Sequence, residues 1–148
     1  MNFIKGFYYA GRGIAAACGQ RNFRFHLCVM AFVIFFAARF YSFTAERWTL
    51  LLLTCSAVLA LETVNTSIEK LADKVSPEKD PLIKAAKDCA AGAVLIAAVF
   101  AAVIGLILFW NMDVFDLILL YFSEASRLAA LGLALVAAWG KVFVPGQK

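Results

Sequence analysis

The feature that most limits the fold of this sequence is a run of 22 residues without a charged side chain, residues 89–110. About 20 apolar residues in a helix are enough to cross the hydrocarbon core of a bilayer. The whole chain is 64% hydrophobic, whereas soluble domains are about 45–50% apolar. The sequence therefore predicts an integral membrane protein built from α-helices.

Other apolar stretches raise the number of expected membrane helices to four. The predicted spans are residues 26–43, 48–70, 84–110 and 125–144. Residues 114–124 are expected to form a short helix at the membrane surface before the last span. We also interpret His26, the only histidine of the chain, as a residue at the membrane boundary.

The segment before the first span has apolar side chains at helical spacing, among them Phe3, Phe7 and Ile14. Lys5 and Arg12 lie elsewhere around the same helix, a pattern typical of a helix that lies in the membrane interface. The predicted fold class is therefore an all-α polytopic membrane helix bundle. It has an N-terminal interfacial helix, three core spans and a fourth, C-terminal span.

Lysine and arginine are distributed unevenly about these spans. Of 14 such residues, only Arg39, Arg47 and Arg127 lie on the side of the membrane opposite to the N-terminus. Because positive residues accumulate in cytoplasmic segments, the sequence predicts that both termini and the loop at residues 71–84 are cytoplasmic. The basic residues form no stripe away from the membrane flanks, which argues against nucleic-acid binding.

The second predicted span contains polar residues at its cytoplasmic end. Glu62, Asn65, Glu69 and Asp73 share an arc of about 80° if each residue turns the helix by about 100°. Carboxylates at membrane depth are costly and indicate function, although a polar seam that joins helices would use similar residues. Such an arc could hold a hard cation through oxygen atoms and also provide a general base.

A second cluster opens the third span, where Lys84, Lys87 and Asp88 follow a proline-containing loop. If that loop is a simple hairpin, the cluster lies level with Glu69 and Asp73. A lysine there could neutralise phosphate oxygens. The alternative for Lys84 is that it only flanks the membrane, with its ammonium group in the interface.

Two motifs resemble the signature of the prokaryotic diacylglycerol kinase and undecaprenol kinase family: Glu62-x-x-Asn65-Thr66-Ser67-Ile68-Glu69-x-x-x-Asp73 and Ala86-Lys87-Asp88. Residues 7–110 follow the family pattern. The segment Arg21-Asn22-Phe23-Arg24-Phe25-His26 is similar to the Gram-positive branch, whose members mostly act on undecaprenol. The resemblance implies a kinase core at residues 1–110 and leaves residues 111–148 as a C-terminal extension.

The activity that this resemblance implies is transfer of the γ-phosphate of ATP to the hydroxyl of a membrane lipid alcohol. Undecaprenol is the expected substrate and diacylglycerol the alternative. The resemblance also implies Mg²⁺ as cofactor, a homotrimer with active sites shared between subunits, and a location in the bacterial cytoplasmic membrane. We further expect that one protomer alone has little protein to shield the polar arc.

The resemblance also implies a role for individual residues. Glu62 corresponds to the catalytic carboxylate, Glu69 to a magnesium ligand and Asn65 to a further active-site position. The side chains expected near the nucleotide and its phosphates are Lys87, Asp88, Asp73 and Tyr9. Where the family usually has a second metal-binding glutamate, this sequence has Gln20, whose amide oxygen carries no net charge.

Two other functions compete with the lipid kinase. Carboxylates within a membrane span are also used by small proton or cation transporters. A chain of this family could alternatively be an inactive homologue that serves as an assembly partner, and Gln20 is the feature that favours this hypothesis.

Overall fold

The structure is a computed structural model that describes residues 3–75 and 80–143. Within these ranges the chain is helical apart from short connections, which confirms the all-α fold class. The six helices are α1 (Phe3–Cys18), α2 (Arg21–Phe40), α3 (Ala45–Val75), α4 (Pro81–Phe109), α5 (Met112–Phe122) and α6 (Ala125–Phe143).

Four of these helices, α2, α3, α4 and α6, are long and apolar enough to cross a membrane. The 20 residues of α2 span roughly 30 Å at 1.5 Å per residue. The bounds of these helices differ from the predicted spans mainly at two places. Helix α2 begins at Arg21 rather than at residue 26, and α3 continues to Val75 rather than ending at residue 70. Backbone hydrogen bonding can continue beyond the apolar region because the polar side chains of this last turn are exposed.

The start of α4 depends on two local signals. Asp80 accepts hydrogen bonds from the backbone amides of Leu82 and Ile83, at 2.7 and 3.2 Å. Pro81 occupies the first turn, where its missing N–H would have no helical partner. Asp80 and Pro81 therefore begin the helix, while residues 76–79 of the preceding loop lie outside the described residues.

Helices α3 and α4 form the largest helix–helix contact of the bundle. Asp73, near the end of α3, contacts Lys87, near the start of α4. At the other end of the bundle, Leu51 of α3 and Leu108 of α4 belong to one buried cluster with Ala37 of α2. The two helices are therefore antiparallel, and α2 packs beside them.

The end of the bundle that contains this cluster is closed by aromatic side chains and a short helix. The Tyr41 hydroxyl donates a hydrogen bond of 2.7 Å to the carbonyl oxygen of Phe109, which joins the end of α2 to the end of α4. The side chain of Asn111 caps α5 by accepting from the amides of Asp113 and Val114. The helix predicted at residues 114–124 is thus present at Met112–Phe122.

Helix α6 returns to the opposite end. Arg24 donates one hydrogen bond to the carbonyl oxygen of Gly19 at 2.8 Å and another to that of Val142 at 3.0 Å. The end of α6 therefore lies beside the connection between α1 and α2. Only one residue of α1, Ala17, is buried, and Phe3 and Phe7 are exposed, as expected of a helix at a membrane surface.

Candidate functional site

The polar arc of α3 faces the interior of the protomer. Glu62, Asn65 and Thr66 are 2, 3 and 4% exposed, whereas Val64 and Leu71 on the opposite face are 52 and 64% exposed. This is the reverse of an ordinary soluble helix, and it matches a membrane helix that turns its polar face away from lipid. Two residues of the predicted arc, Glu62 and Asn65, therefore face the interior. The expectation that one protomer has little protein to shield the arc is wrong for both residues.

Hydrogen bonds within the arc leave some buried oxygen atoms free. Asn65 Nδ2 donates to Glu69 Oε1 at 3.2 Å. Asn65 Oδ1 and Thr66 Oγ1 are buried and have no partner among the described residues. An unsatisfied buried polar group costs about 1–3 kcal/mol, so these atoms are suited to a ligand that supplies a cation or a hydrogen-bond donor.

Thr66 is a residue of this site that the sequence reasoning missed. It lies about 40° from Glu62 around the helix and so about 20° beyond Asp73, the edge of the arc, and it belongs to the Asn65-Thr66-Ser67 motif. Its position on the helical wheel could have identified it. Thr66 was not predicted because a threonine hydroxyl in a membrane helix usually donates to a backbone carbonyl of the same helix. Thr63 does so with the carbonyl oxygen of Leu59.

Lys87 and Asp73 form an ion pair at the mouth of the site. The distance from Lys87 Nζ to Asp73 Oδ1 is 2.7 Å, and the two side chains are 37 and 69% exposed. The prediction that the start of the third span lies level with the polar arc is therefore confirmed for these two residues. Asp88, the next residue of α4, is exposed and makes no ion pair among the described residues.

The end of α1 approaches the same level of α3. Lys70, which follows Glu69, donates a 3.4 Å hydrogen bond to the carbonyl oxygen of Ala16. Gln20 lies four residues after Ala16, at the N-cap of α2. Its side chain is half-buried and makes no capping hydrogen bond. Tyr9 is 55% exposed, and its ring packs against that of Tyr8.

The structure thus divides the predicted site residues into two groups. Glu62, Asn65 and Glu69 lie on one face of α3, with Asp73 and Lys87 at its open end. The other three, Gln20, Tyr9 and Asp88, lie at the surface or at the α1–α2 connection, and the described hydrogen bonds do not link their side chains to this face.

The oxygen donors of the site suit a magnesium ion whose remaining ligands come from the substrate and water. Among the described residues, no three His, Cys, Asp or Glu side chains are close enough together to enclose a metal. Glu69 and the unpaired Oδ1 of Asn65 nevertheless provide two oxygen donors on one face. Mg²⁺ commonly binds one or two carboxylates and takes its other ligands from water and substrate phosphates.

An apolar cavity of about 310 Å³ lies between α2, α3 and α4. Its lining includes Val58, one helical turn before Glu62, and Val33 and Ala101 from the neighbouring helices. Its few polar lining groups include His26, which is half-buried. The interpretation of His26 as only a boundary residue was incomplete, because α2 begins at Arg21 and carries His26 into the bundle.

Comparison with known proteins agrees with this arrangement. Residues 8–109 match the family model for prokaryotic diacylglycerol kinase. The chain belongs to the prokaryotic diacylglycerol kinase family. Membership identifies it as a membrane lipid kinase, and it leaves the transporter hypothesis with no support beyond the carboxylates themselves. The matched range agrees with the resemblance predicted over residues 7–110, and α5 and α6 lie outside it.

Several relatives of the kinase have names that specify a substrate. The chain is 39% identical to an undecaprenol kinase of Bacillus subtilis over 72% of its own length and 87% of that relative. It is 42% identical to a diacylglycerol kinase of Synechocystis over 70% of its length, which covers 60% of that relative. A diacylglycerol kinase of Helicobacter pylori is 32% identical over 68% of the chain and 79% of the relative. No solved structure shows a significant match.

Proposed function

We propose that this lipid kinase transfers the γ-phosphate of ATP to the hydroxyl of undecaprenol and forms undecaprenyl phosphate. The likeness to the Bacillus subtilis undecaprenol kinase, which extends over 87% of that relative, favours this substrate. Diacylglycerol is the second candidate, because the diacylglycerol kinase of Synechocystis is slightly more identical over the shared region.

The observation that carries this proposal is the position of Glu62 between an apolar cavity and a polar mouth. Val58, one turn away on α3, lines the cavity, while Asp73 and Lys87 mark the mouth. A lipid alcohol needs this combination, since its chain requires apolar surroundings and its hydroxyl must meet a base. Glu62 would accept the hydroxyl proton as the lipid oxygen bonds to the γ-phosphorus and ADP leaves.

We assign the metal-binding role to Glu69 and Gln20, with Asn65 as a neighbouring active-site group whose unpaired Oδ1 is a further oxygen donor. The hydrogen bond between Asn65 and Glu69 holds the carboxylate of Glu69 on the same face as Glu62. When Mg²⁺ is bound, it supplies charge neutralisation at the phosphate oxygens. The assignment of Gln20 is supported by its family position and by the approach of α1 to Lys70.

The nucleotide would contact the exposed side of the site. Lys87 is held at the mouth by Asp73 and is partly exposed, so its ammonium group could exchange the carboxylate for phosphate oxygens. Before the nucleotide binds, Asp73 would orient Lys87 at the mouth. The roles of Asp88 and Tyr9 near the nucleotide rest on the family resemblance, and both side chains are exposed.

We also propose that both termini face the cytoplasm of a bacterial cell. The bond between Arg24 and Val142 puts the end of α6 beside the start of α2, and the Lys and Arg bias supports a cytoplasmic assignment of that side. ATP would reach Lys87 from the same side. The proposed homotrimer rests on the family resemblance, and residues 1–110 would form its kinase core with 111–148 as an extension.

An ATP-consumption assay with purified protein tests the proposal. Undecaprenol and diacylglycerol are supplied side by side at equal mole fraction in mixed micelles with ATP and Mg²⁺. We expect faster turnover with undecaprenol. Faster turnover with diacylglycerol would reverse the substrate assignment, and no turnover with either lipid would favour the inactive homologue.

A further inference from the structure

The end of the bundle opposite to the kinase site contains two arginines on one aromatic ring. The guanidinium carbons of Arg39, at the end of α2, and Arg127, at the start of α6, each lie 4.5 Å from the ring centroid of Tyr121. The faces of aromatic rings attract cations, so Tyr121 allows two like charges to lie near each other. Tyr121 and Arg127 both lie outside residues 8–109, the range that matches the family.

One positive charge of this pair remains uncompensated. Arg127 contacts Glu124 at 3.4 Å and donates to the carbonyl oxygen of Tyr121. Arg39 contacts the rings of Phe40 and Tyr121 and makes no ion pair within residues 3–75 and 80–143. Arg39 is exposed, and the side chain of Arg127 is 41% exposed, so both guanidinium groups are accessible.

A second cavity, of about 350 Å³, begins at Arg127 and the Tyr121 ring that Arg39 also contacts, and it extends between α2 and α6. Arg127 and Tyr121 belong to its lining, and the rest is apolar, including Phe32, Phe35 and Leu131. A positively charged rim beside an apolar cavity is complementary to a lipid, because the rim suits the headgroup and the cavity suits an acyl chain. The cavity is separate from the one near Glu62, since the two share no lining residue.

We propose that this cavity binds an anionic phospholipid, with the phosphate at Arg39 and Arg127 and an acyl chain between α2 and α6. Arginine matches phosphate oxygens through paired hydrogen bonds, so two accessible guanidinium groups beside an apolar cavity suit an anionic lipid headgroup. The charge favours an anionic over a zwitterionic headgroup. The apolar cavity favours a lipid over a free phosphate. This site would lie in the leaflet opposite to the proposed ATP site.

Native mass spectrometry of the whole protein in neutral detergent tests the proposal. The probes are dioctanoyl phosphatidylglycerol, dioctanoyl phosphatidylcholine and glycerol 3-phosphate. We expect phosphatidylglycerol to be retained roughly tenfold more strongly than phosphatidylcholine, a difference that one charge-assisted hydrogen bond can supply. Equal retention of the two lipids would overturn the proposal. Retention of glycerol 3-phosphate as strong as that of phosphatidylglycerol would identify a free-anion site and also overturn it.

Three variants locate the binding. The double substitution Arg39→Gln with Arg127→Gln should remove the preference for phosphatidylglycerol. Arg47→Gln is the matched control, because Arg47 lies at the same end of the bundle and packs on Phe43, outside the cavity. Equal loss in this control would mean that general surface charge, and not the proposed site, attracts the lipid.

The remaining variant tests the apolar part of the site. Ala134 lines the cavity, and Ala134→Phe should fill it and weaken retention of phosphatidylglycerol while both arginines stay in place. Unchanged retention would show that the lipid lies elsewhere. If the double arginine variant fails to fold, this substitution and the lipid comparison on the unmodified protein still decide the outcome.

Discussion

The ammonium group of Lys87 lies 2.7 Å from a carboxylate oxygen of Asp73 and joins the start of α4 to the end of α3. Exposed ion pairs add little to stability, so the importance of this contact lies in the position it gives to a positive charge. That charge stands at the open end of the face that contains Glu62, Asn65 and Glu69. The contact therefore leads to a prediction about the nucleotide rather than about folding.

Lys87→Ala should raise the KM for ATP and lower kcat, with little change in the thermal unfolding temperature. Loss of a point charge near phosphate oxygens weakens ground-state binding, which raises KM, and weakens transition-state binding still more, which lowers kcat. Lys84→Ala is the matched control, since Lys84 is an exposed lysine one turn earlier on α4. Steady-state kinetics at varied ATP measure the effect. Equal changes in both variants would remove the specific role of Lys87.

Glu62→Gln should lower kcat by roughly 10²–10⁴-fold, the range that loss of a general base produces. Glutamine has nearly the shape of glutamate, so the buried face of α3 should keep its packing. Glu46→Gln, in the first turn of the same helix, controls for loss of a carboxylate elsewhere on α3. Phosphorylated lipid is quantified with saturating ATP, and activity within a few-fold of the unmodified enzyme would exclude Glu62 as the base.

Gln20→Glu should lower the Mg²⁺ concentration that gives half-maximal activity. A carboxylate attracts Mg²⁺ more strongly than an amide does. The substitution should also be tolerated, because the Gln20 side chain makes no capping hydrogen bond. Gln20→Ala should shift the midpoint in the opposite direction. Mg²⁺ titrations of activity at fixed ATP measure the effect. The same midpoint for the unmodified protein and both variants would place residue 20 outside the metal site.

The proposed topology can be tested by chemical labelling of lysine side chains, since the three basic residues assigned to the external side are all arginines. A membrane-impermeant amine reagent added to intact cells should therefore label no lysine of the kinase. Arg47→Lys should create one labelled site, because Arg47 is exposed at the end of α3 that the proposed topology places outside. Labelling of the unmodified protein, including Lys148 beyond the described residues, would contradict cytoplasmic termini.

The oligomeric state needs a separate test. We expect a homotrimer in mild detergent, with crosslinked species up to three subunits. Burial of Glu62 and Asn65 within one protomer means that a trimer is not needed to shield them, so a neighbouring subunit would act at exposed Asp73 and half-buried Glu69. Crosslinking that ends at dimers would be incompatible with this stoichiometry.

Much of the fold could be predicted because a membrane helix is identified by a continuous apolar stretch of sequence. The run at residues 89–110 needed no tertiary information, and the arc from Glu62 to Asp73 followed from helical geometry alone. The contact of Lys87 with Asp73 was predictable because only a short loop separates their helices. Element ends were less predictable, since α3 continues to Val75 through residues that carry no apolar signal.

Contacts between distant segments could not be predicted in this way. Burial of Glu62 within one protomer depends on how α2 and α4 pack beside α3, which no local pattern specifies. The lining position of His26 and the pairing of Arg39 with Arg127 through Tyr121 depend on the same packing. Thr66 is a different case, because its place on the helical wheel was available from the sequence.

The bond between Arg24 and Val142 also has a consequence for the order of events during biosynthesis. Its partners are 118 residues apart, and chains are elongated at roughly 5–20 residues per second. The carbonyl group that accepts from Arg24 is therefore made about 6–24 s after Arg24 itself. Throughout this interval Arg24 lacks its partner at the end of α6, and the carbonyl oxygen of Gly19 is its other hydrogen-bond acceptor among the described residues.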